Sequence, residues 1–163
     1  MLERLTNAVL FQVGWLACVL GGNSLWLLLA LAVLVIHLGW ISSWAAEGRL
    51  ILSVVIVGTA VDSVLRAAGV FDFQDPAPLI PLWLMLLWAL LATTLRHCLQ
   101  WSARPWWLAS VLGAVGGAIS YYGGGRLAGV QFPYGELPTL IGIGLLWALL
   151  FPLLHAMARR LAH

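Results

Sequence analysis

Asp62 and His97 are the side chains in this sequence best placed to handle a proton. Asp62 interrupts the apolar run from Leu50 to Gly69, and an ionisable group inside such a run is costly enough to mark a functional position. Arg66 follows one helical turn later on the same face, a spacing that allows an ion pair. Tyr121, Tyr122 and Arg126 recur at the same depth and, with Glu136, are expected to form an outer polar patch with Asp62 and Arg66. Asp62 and His97 are thus the catalytic candidates, and Arg66, Tyr121, Tyr122 and Arg126 the substrate-binding candidates. His37, His97 and His155 each precede a marker of one membrane face by about one turn, namely Trp40, Trp101 and Arg159. Three imidazoles at one depth can relay protons or ligate a metal. Glu47, Thr93, Thr94 and Arg96 fall at similar or neighbouring depths. The reading preferred is that no metal is held, with the three histidines as the alternative, because no helix carries the paired histidine spacing of a metal motif. No residue pattern names a cofactor.

The elements that must carry these residues are membrane helices. Hydrophobic residues make up 63% of the chain and charged ones 9%, which leaves no room for a soluble domain. A hydrocarbon core needs about 20 apolar residues per helix. Six spans satisfy this, near residues 5–20, 24–44, 49–69, 79–98, 106–128 and 138–158, giving a single all-α membrane domain of 163 residues. Arg66 through Phe71 resembles Arg126 through Phe132, Leu87 through Leu91 resembles Leu146 through Leu150, and His155 follows His97 at nearly the same offset. The third and fourth helices therefore read as a copy of the fifth and sixth, a parallel repeat of helical hairpins. The repeat carries the fifth helix through Gly123, Gly124 and Gly125 to residue 128.

Arg4, Arg49, Arg96, Arg104, Arg159 and Arg160 collect at one face and Arg66 and Arg126 at the other. Positive charge stays cytoplasmic, so both termini are expected in the cytoplasm. Trp40, Trp44, Trp101, Trp106 and Trp107 would form an aromatic belt on that side, with Trp26 and Trp83 on the other. The N-terminal run lacks a cleavage site and reads as a retained helix. Cys18 and Cys98 fall at opposite faces and cannot pair within the chain. Asn7 and Gln12 suit interhelical hydrogen bonds. Ala109, Gly113 and Gly117, and Gly116, Ser120 and Gly124, make small-residue faces for close packing, or alternatively room for a lipid chain. The net charge of +2 is too small to suggest nucleic-acid binding. Membrane lipids are the expected partners, and protein partners are not specified.

Three stretches resemble a domain-of-unknown-function family of small bacterial inner-membrane proteins. They are Gly58–Asp62 through Phe71; Trp83 through Trp88, with Ala92–Leu95, His97 and Trp101; and Gly113 through Tyr121, with Gly125–Leu127. The resemblance implies a bacterial inner-membrane location and a gene setting near fatty-acyl or cyclopropane-type lipid enzymes. It names no catalytic residue. The function expected is an enzyme or accessory factor of membrane-lipid modification. The alternatives are a small-solute transporter or channel of hairpin repeats, and a non-catalytic assembly partner.

Overall fold

The computed structural model describes residues 1–161, and these form six α-helices: α1 Leu2–Gly21, α2 Trp26–Ile36, α3 Trp44–Ala67, α4 Leu82–Ala92, α5 Trp106–Ala128 and α6 Glu136–Arg160. Three of them, α1, α3 and α6, are long and apolar enough to cross a membrane. The helix ends follow local chemistry. Ser43 caps α3 by accepting the Ala46 N–H at 3.2 Å, which satisfies a donor that the first turn leaves free. Gly129 closes α5 in the left-handed region, φ 71°, which a side chain would resist.

Two spans differ from the hydropathy reading. After Ile36 the second helix widens into a π-helical turn, His37–Ile41, where Ser42 N–H reaches back to the His37 carbonyl. The α-helix of the fourth span ends at Ala92, and residues 93–99 form tighter turns before a 3₁₀ turn at Gln100–Ala103. The Thr93 and Thr94 hydroxyls explain the change: they donate to the carbonyls of Leu90 and Leu91 at 2.7 and 2.6 Å and compete with the helical ladder. Helix α5 runs unbroken through Gly123–Gly125.

The surface is apolar to an extent water would not tolerate. Along α6, Leu137, Ile141, Leu145 and Leu149 face outward every fourth residue, and Leu149 is 77% exposed. Val35 of α2, Ile56 and Val64 of α3 and Ile119 of α5 do the same. A continuous sheath of this kind is a lipid-facing surface. Trp40, Trp44, Trp101, Trp106, Trp107 and Trp26 are exposed, whereas Trp83 is buried and forms no part of a belt. Gln12 also faces outward, while Asn7 is buried.

The chain alternates direction, so one end gathers Asn7, His37, Glu47, His97 and Ser102. We refer to it as the terminal end. The opposite, loop end carries the 68–80 and 129–135 connections, which meet in an antiparallel bridge between Asp72 and Gln131. Helix α5 packs most extensively on α6, and α4 packs on α3 and α1. Gly113 and Gly117 permit the first contact, since a Cβ at either would overlap Trp147.

Candidate functional site

Asp62 is fully buried and faces α4 and α5. The Trp88 indole N–H donates to Oδ2 at 2.8 Å, and the Tyr121 hydroxyl donates to Oδ1 at 2.7 Å. Gly58, one turn earlier on α3, makes this possible, because any β-carbon there would overlap the Trp88 ring. Trp88 stacks in turn on Trp147, with centroids 5.4 Å apart and planes within 6°. Tyr121 lies against Phe71 at 5.5 Å.

The other members of the expected outer patch lie elsewhere. Arg66 does not pair with Asp62. Its guanidinium turns to the loop end, binds the Asp75 carboxylate, donates to the Leu79 and Asp75 carbonyls at 2.8 and 2.7 Å, and sits over Phe73. The Arg66 bond and the Ala77 N–H together hold the Asp75 carboxyl below its ordinary range. Tyr122 points outward with Arg126 over its ring at 5.5 Å, and Arg126 pairs with Glu136 at 2.9 Å. Neighbours on a helix differ by about 100° in direction, and here Tyr121 faces the interior while Tyr122 is 40% exposed.

At the terminal end the structure brings His37 and His97 together but not His155. Their partner is Glu47, a residue that sequence reasoning placed nearby without assigning it a role. His37 Nε2 donates to Oε2 at 2.8 Å and His97 Nε2 to Oε1 at 2.7 Å, and Glu47 and His37 are each 1% exposed. The network has a fourth member. Asn7 Oδ1 accepts the Cys98 N–H at 3.2 Å and its amide donates to the Thr93 carbonyl at 3.1 Å, so both backbone partners fix the amide's orientation. The same amide nitrogen then donates to His37 Nδ1 at 3.2 Å, which places the His37 proton on Nε2.

The same geometry bears on a metal at these residues. His37, Glu47 and His97 bring three ligand atoms within 4.8 Å of one another, a donor set suited to zinc. A metal on Nε2, however, needs the ring proton on Nδ1, donated to an acceptor behind it. Asn7 presents a donor there and cannot flip without opposing both Thr93 and Cys98. In this arrangement the Glu47 carboxylate is held by hydrogen bonds from both imidazoles.

A cavity of about 320 Å³ opens between α1, α4 and α5, with Phe11, Trp15, Trp88, Gly116, Tyr121 and Phe151 in its wall. The wall is almost wholly apolar. A β-carbon at Gly116 would meet nothing within 4 Å. Trp15 crosses from α1 to donate to Ser120 at 3.3 Å. Ser102 closes the terminal end of the cavity and lies 3.0 Å from His155 Nε2. The small-residue faces of α5 thus divide: Gly113 and Gly117 receive α6, Ser120 and Gly124 meet Trp15 of α1, and Gly116 faces open space. Neither Glu47 nor Ser102 carried a sequence signal beyond its depth and its neighbours.

No curated protein and no solved structure matches the chain. Residues 4–153 match the family described as Protein of unknown function (DUF2878). With its apolar surface and long apolar helices, the molecule is a multi-pass membrane protein, and the chain belongs to the DUF2878 family.

Proposed function

We propose that the protein binds the hydrocarbon chain of a membrane lipid inside the bundle and serves membrane-lipid modification in the bacterial inner membrane. The observation that carries this reading is the cavity: about 320 Å³, walled by aromatic rings and glycines, within a lipid-facing bundle. That volume lies at the lower end of small-molecule sites, about 300–1,000 Å³. The nearly apolar wall favours a chain over a polar solute and argues against a transport pathway, which places polar groups near the midplane.

The arginine distribution supports cytoplasmic termini, since the two arginines of the loop end are each taken up by Asp75 and Glu136. Several paired features support the reading of α3–α4 and α5–α6 as a repeat. Val70 N–H reaches the Leu65 carbonyl and Val130 N–H the Gly125 carbonyl, each at 2.9 Å. Gly58 receives Trp88 as Gly117 receives Trp147. Matching positions also meet across the interface: Trp88 with Trp147, Asp62 with Tyr121, and Asp72 with Gln131.

Native mass spectrometry of the protein released from lipid nanodiscs tests the reading. The wild type should retain a lipid. Gly116→Leu, which points a side chain into open space, should fold normally and lose at least 90% of it, whereas Gly116→Ala should keep it. A wild type that carries no lipid would sink the proposal.

A further inference from the structure

We propose that Ser102 and His155 form a nucleophile–base pair that transfers the acyl group of a membrane-lipid ester, an inference that rests on the chain-binding reading above. Three side-chain hydroxyls reach the cavity wall. Ser120 accepts from Trp15, and Tyr121 donates to Asp62. Ser102 alone of the three faces an imidazole, with Oγ 3.0 Å from His155 Nε2, within the reach of an activating base.

The surroundings suit that role. Ser102 and His155 are 0% and 1% exposed, so bulk water is kept from both. The His155 ring is set by the edge of Phe151 at 4.6 Å, and Phe151 is itself part of the cavity wall. The base therefore stands one side chain behind the wall and the nucleophile within it. The Ser102 hydroxyl also has the Leu99 carbonyl in reach at 2.7 Å. Rotation about Cβ–Oγ moves its single proton from that carbonyl toward His155, provided His155 carries its own proton on Nδ1. Neighbouring Trp101 is 59% exposed, as expected where hydrocarbon gives way to headgroups. A chain lying past Trp88 and Tyr121 would bring its ester carbonyl to Ser102 at that depth.

The step is an ordinary acyl transfer. Ser102 Oγ attacks the ester carbonyl carbon while its proton passes to His155 Nε2. The Oγ–carbon bond forms, the carbonyl–alkoxy bond breaks, and the Nε2 proton leaves with the alcohol. The hydroxyl of a second lipid then attacks the acyl-serine, its proton passing to His155 Nε2 and on to the departing Ser102 Oγ, which restores both residues.

A long-chain alkyl fluorophosphonate tests the pair on the full chain in phosphatidylethanolamine–phosphatidylglycerol nanodiscs. Attack forms an Oγ–phosphorus bond and expels fluoride, leaving a permanent adduct. Peptide mass spectrometry should place it on Ser102, with none in Ser102→Ala and labelling about a hundredfold slower in His155→Gln. Lipid retention is read by native mass spectrometry on the same wild-type samples. A wild type that keeps its lipid but gains no Ser102 adduct overturns the proposal and leaves chain binding intact. Loss of both lipid and adduct removes the chain-binding reading and this one with it. Labelling at the wild-type rate in His155→Gln overturns the role of His155. The wild type alone decides whether Ser102 reacts, so an unstable variant does not hide the answer.

Discussion

Asp62 and Glu47 lie on the same helix, about 22 Å apart along its axis at 1.5 Å per residue, and each is a buried carboxylate accepting two side-chain bonds. Their donors differ in kind. Trp88 and Tyr121 offer Asp62 hydrogen bonds but no charge, and among the described residues no cation stands within ion-pair reach of it. The partners of Glu47 are imidazoles, and the His97 side chain is 19% exposed. There is also a shared design. In each centre one donor is fixed and one can be reversed. Trp88 can only donate, and His37 is held as a donor by Asn7. The Tyr121 hydroxyl can rotate to accept, and His97 can shift its proton to Nδ1.

The comparison is broken most severely by emptying one centre. Glu47→Leu leaves the fixed His37 N–H without an acceptor in a buried site, and we expect a loss of about 3 kcal/mol in unfolding free energy. Glu47→Gln and Asp62→Asn should each cost only about 1 kcal/mol, because the reversible partner can accept from the new amide. Denaturant titration in mixed micelles measures all three. Equal losses for Glu47→Leu and Glu47→Gln would show that charge, and not hydrogen-bond direction, governs that centre.

The contrast between fixed and reversible donors sharpens with single deletions at Asp62. Trp88→Phe removes the fixed donor and part of the Trp147 stack, with an expected cost of about 2 kcal/mol. Tyr121→Phe removes only the reversible donor, with an expected cost of about 1 kcal/mol. The reverse order by the same titration would put the organising role on Tyr121.

The smallest effect belongs to an exposed carboxylate outside both centres. Asp75 is held below its ordinary range by Arg66 and the Ala77 N–H. A depressed native value means its contribution is complete above the unfolded carboxylate range and is lost as pH falls through the native value. Wild-type stability should therefore decline over that acid window slightly more than that of Asp75→Asn. Matching acid profiles would remove Asp75 from the loop end's stabilising contacts.

Much of this was legible before the structure. Uninterrupted hydropathy reveals the helical membrane class, and the recurrence of Arg66 through Phe71 at Arg126 onward anticipates matched loop ends. Asp62 and His97 stood out because burial makes any ionisable residue conspicuous. The partner choices were not legible. The spacing of Asp62 and Arg66 permits an ion pair, but Arg66 found an acid and two carbonyls in a loop whose course hydropathy does not read. Glu47 reads only as a residue near the depth of the histidines, and its bonds to His37 and His97 join three separate segments. The early end of α4 rests on two threonine hydroxyls within an otherwise apolar run. Trp83 reads as an interfacial residue, yet its backbone N–H binds Asn23 and its ring packs against Phe73.

The α5–α6 hairpin is fastened to the remainder of the molecule at both ends. The Asp72–Gln131 bridge closes the loop end, and the Ser102–His155 contact closes the terminal end. Between them the Trp88–Trp147 stack and the Tyr121–Asp62 bond hold it as well, and Gly116 borders unfilled space. A seam held at its ends and its middle, with one gap beside Gly116, behaves like a slot in a wall. A hydrocarbon chain bound as proposed would slip in there broadside from the bilayer. The rate of exchange would then follow the fluidity of the surrounding lipid, while the affinity stayed with the walls.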